Sequence, residues 1–420
     1  MKKKLFAFTL ALCLLLPGCA VQDNPGQTTP ETTGKDDPFN SPEPMPGFDA
    51  QNQYIVLDPA RIQEAGSILF GGTGKLGGDF MRYYDTASGV SGMMCPNPEC
   101  THDSPACGAY VEESTSICFY NGKRYWISAD PQGSYGDYYL WRSDLSGENR
   151  EKLKRISFKD VIMTYSPQWY AIHRGKLYFL GRKSWVQDGH AAARYILLST
   201  PLDSSEEYTS IFDETYDRDG QITVRFVGNG IYCAKRIYSP DNGDLSDMIV
   251  TKYDRETGAE ETLFEEKGLT LYPRKFWVTE DGTPYLGASN SERLIVWKLE
   301  NGKKVEVLSR QGEDPWVEFA DGIIECEYWK DGKVWAEILT LSGETLYDGW
   351  MYPNPIPGMK EDPNGDCTRG FLGGDRDKII VQLSPTVFTS KYEITKISYT
   401  IMLDIRSGMK ATVLWSNENW

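Results

Sequence analysis

The chain has 420 residues, with 60 acidic against 44 basic side chains and a formal net charge of −16 with histidines neutral. That balance argues against nucleic acid or acidic lipid headgroups as partners, since both are held by basic patches. A chain of this length is also too long for one two-layer core unless it is modular.

At the N-terminus Lys2, Lys3 and Lys4 precede a mainly apolar run from Leu5 to Leu16, which ends in Leu16-Pro17-Gly18-Cys19. A basic start and an apolar run too short to span a bilayer describe a secretory signal. The cysteine at the break resembles the lipobox of bacterial lipoproteins. The resemblance implies that residues 1–19 are a lipoprotein signal and that Cys19 carries the lipid and becomes the mature N-terminus. The lipid bilayer is then a partner, and the protein is exported and faces the outside of the cytoplasmic membrane. Two acyl chains anchor stably where one does not. Loss of three lysines moves the net charge from −16 to −19. Residues 20–50, rich in Pro, Thr, Gln, Gly and Asp without apolar periodicity, read as a disordered tether.

Residues 51–420 are expected to form one domain. A first, irregular unit runs from Ser67 to Met94. Within it Gly72-Thr-Gly-Lys-Leu-Gly77 fits a dinucleotide-binding spacing, yet Gly78-Asp-Phe-Met-Arg-Tyr-Tyr reads as a strand where such a site needs a helix.

The loop 95–107 follows, with Cys95, Cys100, His102 and Cys107 among turn-forming prolines. Three thiolates and an imidazole are the ligand set of a closed tetrahedral zinc site, so the expectation is a structural zinc bracing the exit from the first unit. A disulfide, Cys107 with Cys118 or Cys95 with Cys100, stands beside it, as do free thiols. Seven cysteines remain once Cys13 is removed with the signal and Cys19 is acylated, an odd number.

Beyond the loop a repeat sets in. Asn121-Gly122, Arg174-Gly175, Asn229-Gly230, Asp281-Gly282 and Asp321-Gly322 each introduce a short apolar or aromatic strand. A second turn follows each one, as in Leu140-Trp-Arg-Ser-Asp-Leu-Ser-Gly147 and Ile249-Val-Thr-Lys-Tyr-Asp-Arg-Glu-Thr-Gly258. Two hairpins make a four-stranded unit, and the five glycines stand 53, 55, 52 and 40 residues apart. The fold class is therefore all-β, a β-propeller with seven blades favoured and six or eight as alternatives. The repeat resembles those of TolB-like and YWTD-type propellers, and with the lipobox and the Cys/His loop it resembles uncharacterised exported propeller lipoproteins. That resemblance implies an architecture and no chemistry.

If the strands alternate, tight turns share one face and long connections the other. The long connections are expected at 129–138, 183–194, 239–247 and 384–391 within blades, and at 95–115, 156–167 and 349–367 between them. Loops longer than closure requires commonly carry binding groups. Tyr135, Tyr138, Trp185, His190, Tyr238, Trp350 and Tyr352 are thus candidate ligand-binding residues on that face, for a glycan, a peptide or a partner protein. The leading expectation is a non-catalytic ligand-binding lipoprotein. A carbohydrate-active hydrolase or lyase using two carboxylates is one alternative, and an envelope-complex scaffold is the other.

Overall fold

The computed structural model describes residues 60–62, 67–73, 79–111, 117–120, 122–129, 138–156, 170–187, 189–203, 207–239, 245–271, 273–359, 362–365, 367–388 and 394–416. The lipid signal, Cys19, the tether and Tyr135 lie outside them.

Every helical or extended element among these residues is a strand, and the strands form seven four-stranded antiparallel sheets arranged as a β-propeller. Blade 1 is β1–β4 (Ala60–Ile62, Ser67–Thr73, Asp79–Asp85, Val90–Met93), with β5 (Tyr110–Val111) also paired to β3. Blade 2 is β6–β9 (Ile117–Tyr120, Lys123–Ala129, Tyr138–Asp144, Glu151–Ile156) and blade 3 is β10–β13 (Tyr170–His173, Lys176–Gln187, His190–Pro201, Thr209–Tyr216). Blade 4 is β14–β17 (Gly220–Val227, Gly230–Tyr238, Ser246–Asp254, Glu260–Leu269) and blade 5 is β18–β21 (Pro273–Val278, Pro284–Ser289, Arg293–Glu300, Lys303–Gln311). Blade 6 is β22–β25 (Glu313–Ala320, Ile323–Lys330, Lys333–Thr340, Thr345–Trp350). Blade 7 is β26, β27, β29 and β30 (Cys367–Gly374, Lys378–Phe388, Tyr399–Asp404, Lys410–Ser416), with β28 (Ile394–Lys396) on its flank.

The first strands of neighbouring blades approach one another, β14 with β18, β18 with β22, β22 with β26 and β26 with β1, so they line the ring axis. The core lies between blades. Alternate side chains point to opposite faces of a sheet, so each blade contributes one apolar row to each neighbour. Ile324 and Cys326 pack with Trp277 and Leu294 of blade 5, while Ala320 and Ile323 pack with Ile379 and Val381 of blade 7. Each blade is built from one contiguous stretch. The seam between the last and the first is closed by side chains: Tyr84 packs with Leu372, Ile380 and Leu414, and the Arg82 guanidinium stands 4.3 Å over the Trp415 ring.

Turn chemistry explains most hairpins. Arg174-Gly175 (φ +44°, +74°) and Asp331-Gly332 (φ +50°, +72°) occupy the left-handed region at both positions, as two-residue hairpins require. The expected Asn229-Gly230 turn is shifted by one residue: Gly228 carries the positive φ of +55°, and Gly230 already opens β15. A Cβ on Gly230 would stand 2.4 Å from the Tyr232 ring, so packing is what requires glycine there.

Two expected loops are different structures. Residues 183–194 are no open connection, because β11 and β12 pair through to Gln187 and His190. Gly189 in that turn has φ +84°, the left-handed region that a tight hairpin uses. Nor does the cysteine loop link two blades. β4 ends at Met93, the chain leaves the sheet, and β5 resumes the pairing with β3 at Asp79 and Phe80. Met94 N donates to Met81 O (3.0 Å) and Met81 N to Ala109 O (2.9 Å), so residues 95–108 are an excursion from the outer edge of blade 1.

Candidate functional site

The excursion gathers the four residues that its spacing nominated. Cys95 Sγ, Cys100 Sγ, His102 Nδ1 and Cys107 Sγ all lie within 4.8 Å of one another, close enough to hold a metal ion. Short backbone turns close the loop around this point: Cys100 N donates to Asn97 O (3.2 Å) and Cys107 N to Ser104 O (3.0 Å). Ala109 N points at Cys107 Sγ (3.4 Å), and His102, itself at φ +54°, brings Nδ1 to 3.2 Å from the same sulfur. No disulfide joins any of the seven cysteines among the described residues. Burial, helped by the neighbouring Cys100 and Cys95 thiols, pushes Cys107 up to about 12. Cys95 is also raised by burial, but backbone hydrogen bonds with Asn97 and Gly108 outweigh this and bring it below the usual thiol value. Three thiols and an imidazole converging here are a ligand set that could hold a metal ion.

A second constellation lies between blades 6 and 7, and the sequence reading had not singled it out. In β22 and β23 Glu318 stands opposite Glu325 and Trp316 opposite Glu327, so all four side chains share the face turned toward blade 7. Glu318 and Glu327 are therefore diagonal neighbours on that face, whose backbone positions are about 7–8 Å apart. The Trp316 ring is 40% exposed and donates its Nε1–H to Glu318 Oε1 (2.8 Å). Lys275 from blade 5 ion-pairs with Glu318, its Nζ lying 4.8 Å over Trp316.

Beneath this accessible pair Glu325 is completely buried, with the Glu327 carboxylate beside it. Burial, and then the Glu327 and Glu318 carboxylates, hold Glu325 well above the usual carboxylate range. Burial also raises Glu327, with the hydrogen bond to Glu325 and then Arg369 acting against it. Arg369 donates to Pro363 O (2.9 Å), and its guanidinium stands 4.9 Å over Trp329. Tyr352 is buried beside this group with an unpartnered hydroxyl. Three carboxylates thus share two cations, and burial favours the protonated forms of Glu325 and Glu327. The sequence signal was Ile323-Ile324-Glu325-Cys326-Glu327, two acids at same-face positions of a strand whose other face is apolar.

The nominated residues among those described lie on or just past strands of blades 2, 3, 4 and 6. Tyr138 opens β8 and Tyr238 closes β15 under the Arg236 guanidinium, both half-buried. Trp185 and His190 stand across the β11–β12 hairpin. Trp350 packs edge-on against Trp335, with ring centroids 4.8 Å apart. Tyr352 faces the interior between blades rather than an open rim.

No protein-family model matches the chain, and no curated protein matches it either. Solved structures do. The β-propeller domain of the Trilobed protease from Pyrococcus furiosus is similar over 84% of this chain and 96% of its own, at 11% identity and a TM-score of 0.44. A periplasmic gluconolactonase from Pseudomonas aeruginosa is similar over 83% and 95%, at 14% identity and a TM-score of 0.47. The acylaminoacyl peptidase of Pyrococcus horikoshii is similar over 85% of this chain but 53% of its own, at 11% identity and a TM-score of 0.48. The chain spans about half the length of the first solved peptidases that it matches. At these identities the likeness shows the propeller fold and nothing finer. The leading expectation of a non-catalytic ligand binder is nevertheless corrected: the matching solved structures include several peptidases, and the hydrolase alternative is the one carried forward.

Proposed function

We propose that this protein is an exported propeller hydrolase acting on glycosidic bonds, with Glu318 and Glu327 as its working carboxylates. The observation that carries the reading is the diagonal placement of these two groups beside the exposed Trp316 ring. Glycoside hydrolysis needs an acid and a base on either side of the scissile bond, and an aromatic face suits stacking against a sugar ring. Glu327, raised by burial, protonates the glycosidic oxygen, so that the glycosidic C–O bond breaks and the leaving sugar departs as an alcohol, while Glu318, steadied by Lys275 and Trp316, takes a proton from the water whose oxygen adds to the anomeric carbon. Glu325 does not reach solvent and acts as a positioning residue, its carboxyl keeping a proton in the nest.

The same reading includes a lipid anchor at Cys19, a kinship with TolB-like and YWTD-type repeats, and zinc as the metal of the Cys95, Cys100, His102 and Cys107 cluster. The lipobox, the Gly-turn repeat and the three-thiol, one-imidazole ligand set support these in turn.

The test is a panel of polysaccharides incubated with the full chain, read as new reducing ends. Release by the native protein, lost in Glu327→Gln and Glu318→Gln, supports the assignment. Release that survives both substitutions, or no release from any substrate, removes it. A Cys19→Ala chain should partition into the aqueous phase of a detergent separation.

A further inference from the structure

We infer that Arg124 and Arg150 are the built-in counter-charge of a metal–thiolate centre at Cys95, Cys100, His102 and Cys107, and that the bound metal fastens blade 1 to blade 2. The inference rests on the zinc reading and adds to it a charge partner and a mechanical role.

Arg124 is completely buried. Its Nε donates to Ser143 Oγ (2.6 Å), its Nη2 to Gly108 O, and its Nη1 has no partner. Arg150 sits just past the β8–β9 turn of blade 2 and directs one Nη2 at three carbonyls of the excursion: Cys107 O (2.9 Å), Gly108 O (2.9 Å) and Tyr110 O. Both guanidiniums lie about one ring-width from Trp126, at 5.8 and 5.9 Å from its centroid. Among the described residues no carboxylate pairs with either one, and the thiols of Cys107 and Cys95 are the only acidic groups facing both.

Two adjacent cations with no anion are costly to bury. With neutral thiols, or with a disulfide between any two of them, the cations stay uncompensated. A divalent ion on three thiolates and a neutral imidazole carries one net negative charge, which the guanidiniums then face. The backbone supports the same arrangement. A Cβ on Gly147, in the blade 2 turn, would stand 1.8 Å from Gly108 O, so the excursion and the turn are in direct contact at the point that both arginines grip.

The test uses the detergent-solubilised full chain with cobalt(II) as the probe metal, then zinc in competition. The native protein should take up one equivalent of cobalt with tetrahedral d–d bands and a thiolate-to-cobalt charge-transfer band. Arg150→Met should weaken affinity by about 10- to 100-fold, the range for partners outside the ligand set, while Arg150→Lys keeps most of it because the charge remains. Circular dichroism of each variant checks that the propeller is intact. Hydrogen exchange at residues 108–111 and 144–150 should slow together when metal binds. Native affinity in Arg150→Met overturns the counter-charge role while leaving the metal site standing. Absence of any cobalt spectrum, with a disulfide mass in the native chain, overturns the zinc reading and this inference together.

Discussion

The junction of blades 1 and 2 and the junction of blades 6 and 7 bury charge of opposite sign. At the first, Arg124 and Arg150 face thiols and carbonyls without a carboxylate. At the second, Glu318, Glu325 and Glu327 share Lys275 and Arg369. Between blades 3 and 4 lies an ordinary solution: buried Lys235 pairs with Glu214 and donates to Tyr253 Oη (2.8 Å). Most blade contacts are apolar and need no such device. A buried, unbalanced charge persists where something else supplies the missing sign; the proposed metal–thiolate centre would do so at one junction and a proton on Glu325 at the other.

The sharpest way to break that contrast is catalytic. Glu327→Gln should lower kcat by about 10²- to 10⁴-fold, the usual worth of a general acid, with KM little changed; a loss confined to KM would make Glu327 a binding group. Next in size, Lys235→Met removes one partner of the balanced pair and should destabilise the protein by about 3–5 kcal/mol, measured by denaturant unfolding. A loss near zero would mean that the pair is not a useful reference for the other two junctions.

Glu325→Gln should act in the opposite sense. Because the folded protein holds this carboxyl above its ordinary value of 4.5, it contributes stability that is complete below that value and lost as pH rises. The glutamine variant should therefore gain on the native protein as pH climbs from about 4.5, by up to about 1.4 kcal/mol per pH unit until the folded carboxyl ionises. Parallel stability–pH curves for the two proteins would show that no proton is retained. Smallest of all, Trp185→Ala on the β11–β12 hairpin should change stability by no more than about 0.5 kcal/mol and leave hydrolysis untouched.

Local chemistry made the repeat legible. Gly122, Gly175 and Gly282 mark left-handed turns, and the strands around them alternate as pleated, half-buried segments do. The Cys95–Cys107 ligand set was equally plain, because its four residues lie close in sequence and prolines turn the chain back on itself. The Glu318 and Glu327 pair was not, since its members belong to two strands that meet only through register, among 60 acidic residues. Loop length was a partial guide, because the expected loop at 183–194 is a paired hairpin and Tyr352 packs inward.

Sequence by itself determined the all-β blade pattern, the turn positions to within a residue, and which thiols and imidazole could share an ion, because each depends on neighbours along the chain. Only the tertiary structure decided that the cysteine excursion grips blade 2 through Arg124 and Arg150, and that three glutamates converge between blades 6 and 7. Those outcomes depend on which faces of separate sheets come together when the ring closes, and on charges that water would screen in the open chain but that meet directly once buried.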